Sequence, residues 1–128
     1  LVAAALIFIA LGLAIWMLAE KPAEEISVSI LESVGSCGGG DVGLSLVKYK
    51  EGYAEILFRE PANTPCHSHV IKNIKISQEG HVKVEIELEL KKTAKVCVQC
   101  LGIIETRIRI GPLEKGSEIV VNGRSLRI

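Results

Sequence analysis

Apolar and polar residues alternate along most of the chain after residue 25, and this alternation predicts β-strands. The clearest example lies between Val82 and Leu90, where five apolar residues alternate with one lysine and three glutamates. A period of two places all five apolar side chains on one face of a strand. We therefore expect Val84 and Ile86 to be buried, and Glu85 and Glu87 to be exposed.

Weaker alternation and turn residues divide the rest of this region. Further strands are predicted within Ile26–Ile30, 44–49, 53–58, Val70–Ile76, 104–110, 118–121 and 124–128. Turns are predicted at Glu51-Gly52, at 78–80 and at Asn122-Gly123, and longer loops at 35–43 and 60–69. Asn-Gly suits a type I′ hairpin turn. Short strands separated by turns predict an all-β antiparallel sandwich or barrel over residues 26–128.

The first 19 residues follow a different pattern, because Leu1 to Ala19 contains no charged side chain. As a helix this run would be roughly 28 Å long, which is close to the thickness of a bilayer core. Pro22 would then end it. The predicted fold is thus an N-terminal hydrophobic α-helix over residues 1–20, transmembrane or in a filament core. A linker over residues 21–25 and an extracytoplasmic β domain over 26–128 follow it.

Charge and motifs argue against several functions. The chain has 15 basic and 15 acidic residues, and no basic patch stands out, so we predict no nucleic-acid partner. The run Gly38-Gly39-Gly40 lacks the lysine and helix of a phosphate-binding loop. No group of residues resembles a catalytic site. We therefore predict that the chain is not an enzyme and carries no cofactor.

The four cysteines, Cys37, Cys66, Cys97 and Cys100, are the sharpest chemical feature. In a small exported domain an even number of cysteines indicates disulfides, and four cysteines allow three pairings. Bonds Cys37–Cys66 and Cys97–Cys100 are expected. The alternatives join Cys37 and Cys66 each to one of the two later cysteines.

The Cys-x-x-Cys spacing of Cys97 and Cys100 is also used in redox and zinc sites. A redox site needs the first cysteine at a helix N-terminus, and here the motif joins two β segments. A metal site would use Cys66, His69, Cys97 and Cys100 as a Cys₃His set. The three histidines, His67, His69 and His81, are otherwise expected to be solvated.

The uncharged start at Leu1 resembles the mature type IV pilins of bacteria and archaea. In that family a basic leader is removed just before an apolar segment, which anchors the subunit in the membrane and later packs in the filament core. Bacterial pilins carry glutamate at the fifth mature position. This chain has Ala5 there, so an archaeal pilin is the better match. Small residues that would let such helices pack closely include Ala3, Ala10, Gly12 and Ala14.

The head resembles small exported archaeal domains with four cysteines. The likeness rests on Cys37, on Pro65-Cys66-His67 and on the motif Cys97-Val98-Gln99-Cys100. The resemblance of the N-terminal run implies a structural subunit of a type IV pilus-like filament, whereas the resemblance of the head implies an archaeal, extracytoplasmic domain and no activity. The subunit's partners would be copies of itself, with the membrane as its place before assembly and the cell surface afterwards. The alternative is a single-pass, membrane-anchored domain that binds a partner or a metal.

Overall fold

The computed structural model describes residues 25–128, and these form eight β-strands. The strands are β1 (Ser27–Cys37), β2 (Gly43–Lys50), β3 (Tyr53–Ala62), β4 (His67–Ser77), β5 (Lys83–Lys92), β6 (Gly102–Gly111), β7 (Glu118–Val121) and β8 (Arg124–Arg127).

The strands form two four-stranded sheets that pack face to face. The first sheet has the order β1-β6-β3-β2 and the second the order β4-β5-β7-β8. All pairs in the first sheet are antiparallel, but β5 and β7 run parallel in the second. The predicted sandwich is therefore present, whereas its predicted purely antiparallel pairing is wrong. Parallel pairing is possible here because a long connection, including β6, separates β5 from β7.

The predicted fold class needs a larger correction at its N-terminal end. Residues 25–128 are all-β, and none of their segments is a helix long and apolar enough to cross a membrane. The predicted hydrophobic helix over 1–20, and the linker over 21–25 except for Glu25, lie outside the described residues. The fold of the described chain is thus a β-sandwich alone.

The core lies between the inner faces of the two sheets. On β5, Val84 and Ile86 are buried and Glu87 is exposed, as the alternation predicts, whereas Glu85 is only half-exposed. They pack with the buried side chains of β3, β6 and β7, which include Ala54, Ile56, Phe58, Ile108, Ile110, Ile119 and Val121. Apolar burial on both inner faces provides most of the driving force for folding.

The free edges of the sheets are interrupted by bulges. The register shifts between Ile30 and Glu32 in β1, between Leu46 and Lys48 in β2, and between Ile71 and Asn73 in β4. These are the three long edge strands, and the remaining edge strand, β8, has only four residues. Bulged and short edges discourage pairing with strands of other molecules.

The sandwich has two distinct ends. At the base, β1 begins and β6 ends, so Ser27 lies opposite Gly111. At the other end, Cys37 lies opposite Gly102, and three loops meet there. We call this end the cap and define it as residues 38–42, 63–66 and 93–101. Within the described residues the chain begins at the base, because Glu25 and Ile26 directly precede β1.

Candidate functional site

Two disulfides hold the cap together. Cys37, the last residue of β1, is bonded to Cys100, and their Cα atoms are 5.7 Å apart. Cys66, just before β4, is bonded to Cys97, with Cα atoms 6.0 Å apart. All four predicted cysteines are therefore paired, but the expected pairs Cys37–Cys66 and Cys97–Cys100 are wrong. Each early cysteine instead pairs with a late one, so loop 93–101 is tied to both sheets.

Backbone contacts complete the cap. Leu101 O accepts hydrogen bonds from the amides of Gly38 and Gly39 at 3.0 and 3.2 Å, and Cys66 O accepts one from the Thr93 amide at 3.0 Å. Gly102 lies so close to loop 63–66 that a Cβ there would come within 2.5 Å of Thr64 O. A glycine is needed at this crossing because any side chain would displace the loop.

The disulfides exclude the Cys₃His metal site predicted as an alternative. Of the proposed set Cys66, His69, Cys97 and Cys100, three members are disulfide-bonded and have no thiolate to offer. Residues 25–128 contain no group of three or more metal-ligating side chains. The fourth member, His69, has a different role.

His69 lies inside the sandwich, directly below the cap, in a row of polar side chains. It is only 3% exposed, so the expectation that it is solvated is wrong. Its Nδ1 is 2.5 Å from Thr106 Oγ1, and its Nε2 is 2.8 Å from Glu60 Oε1. Ser33 Oγ is 2.8 Å from both Thr106 Oγ1 and the His69 amide nitrogen. The row links β4 in the second sheet to β1, β3 and β6 in the first.

One assignment of protons satisfies the whole row. His69 Nε2–H donates to the Glu60 carboxylate, the Thr106 hydroxyl donates to Nδ1, and the Ser33 hydroxyl donates to Thr106 Oγ1. The amide of His69 then donates to Ser33 Oγ, which closes the ring of contacts. No buried side-chain nitrogen or oxygen in residues 25–128 is left without a partner. Fully satisfied polar groups can stay buried at little cost.

The row has the chemical order of a nucleophile-activating site, namely carboxylate, imidazole and hydroxyl. Its location prevents that use. Thr106 is completely buried, so its hydroxyl cannot reach a substrate carbonyl. The ring of His69 also packs beside Phe58, with centroids 5.3 Å apart. The row is therefore a polar link between the sheets.

Among residues 25–128, the one acid with a clearly shifted pKa lies near the base, on the second sheet. Hydrogen bonds from Ser125 and His81 to the carboxylate of Glu118 hold its pKa below the usual value. The neighbouring Lys83 has its pKa raised by its hydrogen bond and charge interaction with Glu85 and by the charge of Glu118. All of these groups are on the surface, so they form a solvated charge cluster rather than a buried site.

The cap exposes an apolar surface to solvent. Val96, Val98 and Leu101 project from loop 93–101, on either side of the two disulfide-bonded cysteines. Sequence patterns did not single them out, because three apolar residues in a loop carry no periodic signal. The useful signal was their place beside cysteines, which hold a loop rigidly enough to expose such residues.

The predicted helix-packing residues Ala3, Ala10, Gly12 and Ala14 lie outside the described residues. No protein-family model, no curated protein and no solved structure matches the chain. The two disulfides indicate an oxidising, extracellular environment.

Proposed function

We propose that the chain is a non-catalytic structural subunit of a cell-surface filament of the type IV pilus kind, with the sandwich as its outward head. The observation that carries the proposal is that the head has two different ends. Its N-terminal residues enter at the base, and its cross-linked cap lies at the opposite end. A head arranged in this way can be packed through the N-terminal segment while its cap faces outward.

The surface of the sandwich supports the same function. Free strand edges invite open-ended pairing between molecules, and here the three long edges are bulged. Heads can then be crowded along a filament without fusing through their sheets. Assembly contacts would come from the apolar run Leu1 to Ala19.

A structural function also accounts for the buried row. His69 and Thr106 are used to join the sheets, and neither is accessible to a substrate. The two disulfides, which stabilise an extracellular domain mainly by restricting its unfolded state, serve the same purpose.

The first prediction tests filament formation. Sheared cell-surface material should contain filaments that an antibody against the sandwich labels in electron microscopy. Gly12→Leu should remove most of these filaments, because a bulky side chain prevents close approach where a small one allows it. The amount of chain in the cells, measured by immunoblot, should not change.

Leu11→Ile provides the matched control, since it changes shape at a neighbouring position without adding volume. It should leave filaments at the wild-type level. Recovery of the wild-type chain only as a monomer in detergent extracts would contradict the proposal. That outcome would favour the alternative, a surface domain that binds a partner.

A further inference from the structure

The exposed apolar residues of the cap differ from all others on the described surface. Val96 is 89% exposed, Leu101 70% and Val98 63%, whereas no other large apolar side chain in residues 25–128 exceeds 50%. Single exposed apolar residues are ordinary on protein surfaces. Three within six positions, all projecting from one loop, form a defined feature, which we call the cap tip (Val96, Val98 and Leu101).

The cap tip is held in place before any contact is made. Cys97 and Cys100 alternate with its members and are bonded to Cys66 and Cys37. The carbonyl of Leu101 also accepts two backbone hydrogen bonds from the glycine loop. A rigid loop loses little conformational entropy on binding, so its apolar side chains can contribute nearly in full.

Three lysines lie close to the cap tip in the sequence. Lys91 and Lys92 end β5, and Lys95 directly precedes Val96. Lys92, Lys95 and Val96 line the same shallow cleft. No acidic residue occurs between Leu90 and Ile104. Lys72 and Lys83 on the second sheet pair with Glu87 and Glu85, but within residues 25–128 none of these three lysines forms an ion pair.

This combination of residues favours lipid over protein as the partner. Contacts that dominate protein interfaces are rich in Trp, Tyr and Arg, whereas Leu and Val are under-represented and Lys is depleted. Aliphatic side chains that enter the acyl boundary, beside lysines that stay among the headgroups, are typical of binding to anionic membranes. We infer that the cap tip docks into an anionic lipid surface, with Lys91, Lys92 and Lys95 contacting the headgroup phosphates.

The second prediction tests this docking with a reporter on the cap tip itself. In the full chain, Trp16 is the only tryptophan, and Trp16→Phe removes its signal. Val98→Trp on that background then reports only from the cap tip. Its emission should shift to the blue, and become protected from acrylamide, when phosphatidylglycerol vesicles are added. Phosphatidylcholine vesicles should produce much less change.

A matched control distinguishes docking of the cap tip from attachment of the chain to the vesicle through another part. Leu31→Trp on the same background places an indole on β1, at a site that is 50% exposed but distant from the cap. Its emission should not respond to either vesicle. Each change of Lys91, Lys92 or Lys95 to Gln should lower the affinity for anionic vesicles about fivefold, as reported by Val98→Trp. All three changes together should lower this affinity roughly a hundredfold.

Several outcomes would overturn the inference. One is a Val98→Trp signal that is unchanged by anionic vesicles. Another is an equal response to phosphatidylcholine that is insensitive to the three lysines. A blue shift that grows with protein concentration in the absence of lipid would show that the cap tip binds protein. Because filament formation is scored separately by microscopy, failure here leaves the proposed function standing.

Discussion

At the scale of single residues, His69 joins the two halves of the sandwich. Its two ring nitrogens contact Thr106 and Glu60 in the first sheet, although His69 itself belongs to the second. Removing one member of such a row leaves the others buried without a partner, which typically costs about 1–3 kcal/mol. The row therefore fixes how the sheets meet beneath the cap.

The third prediction concerns Thr106. Thr106→Val keeps the shape of the side chain but removes the hydroxyl that contacts His69 and Ser33. The free energy of unfolding should fall by about 1–3 kcal/mol, measured by urea denaturation of the oxidised chain. Thr93→Val, at an exposed site in the cap, should change it by less than about 0.5 kcal/mol. Equal effects of the two changes would contradict a special role for the row.

Individual residues were predictable where the cause is local. Asn122 and Gly123 adopt φ values of 47° and 83°, as the predicted type I′ turn requires. The tertiary role of Asn122 was not predictable, because its side chain contacts the amide and carbonyl of Leu88 on β5. His69 was likewise predicted to be solvated, since two of its partners, Ser33 and Thr106, are more than 30 residues away in the sequence.

At the scale of elements, β5 shows how unequally the two faces of a strand contribute to stability. Its inner face contains Val84, Ile86 and Leu88, all buried, whereas Glu87 on the outer face pairs only with the exposed Lys72. Surface ion pairs of this kind contribute little to stability. The stability supplied by β5 should therefore come almost entirely from its inner face.

The fourth prediction follows from this contrast. Ile86→Ala should lower the free energy of unfolding by about 2–5 kcal/mol, because it removes buried surface and leaves a cavity. Glu87→Ala, at the adjacent position, should change it by less than about 1 kcal/mol. Both values can be measured by chemical denaturation. Similar losses from the two changes would show that the faces of β5 are reversed.

Element boundaries were harder to predict than the elements themselves. The loop predicted over 60–69 is short in the structure, because β3 continues to Ala62 and β4 begins at His67. Pro61 lies in this part of β3, although proline cannot donate a ladder hydrogen bond. It is tolerated because β2 pairs with β3 only as far as Arg59, which leaves Pro61 without a neighbour on that side.

At the scale of the whole molecule, the disulfides bind together parts of the sandwich that are distant in the chain. Cys37–Cys100 spans 63 residues and Cys66–Cys97 spans 31. In the loop-entropy model, bonds of these spans each contribute about 4 kcal/mol. Spacing alone could not select this pairing from the three possible ones. Cys37 and Cys100 are 63 residues apart in the sequence, and the pairing of β1 with β6 makes them neighbours.

The fifth prediction is the connectivity itself. No Lys or Arg lies between Cys97 and Cys100, so trypsin leaves both in one peptide. Digestion without reductant should therefore yield one species of three peptides, which contain Cys37, Cys66 and the Cys97-Cys100 segment. Mass spectrometry after mild partial reduction should then separate the two bonds. A two-peptide species that joins Cys37 to Cys66 would contradict the structure, and a digest with added reductant provides the control.

Strand order was the largest feature that the sequence could not provide. Glu85 and Glu87 on β5 are complementary in charge to Arg107 and Arg109 on β6, so the sequence favours pairing between these successive strands. The structure places β5 and β6 in different sheets, where Arg109 instead lies over the ring of Tyr53 at 4.2 Å. Alternation specifies faces, but it carries no information on which strands become neighbours.

The pairing of β1 with β6 has a consequence for the kinetics of folding. The first strand, β1, cannot pair before the sixth strand is present, since Ser27 lies opposite Gly111, which is 84 residues away in the chain. Proteins dominated by such non-local contacts have high contact order and fold slowly, on the millisecond-to-second scale. A nascent head therefore cannot mature progressively from its N-terminus. Its first sheet can be completed only once β6 has formed, because β6 lies between β1 and β3.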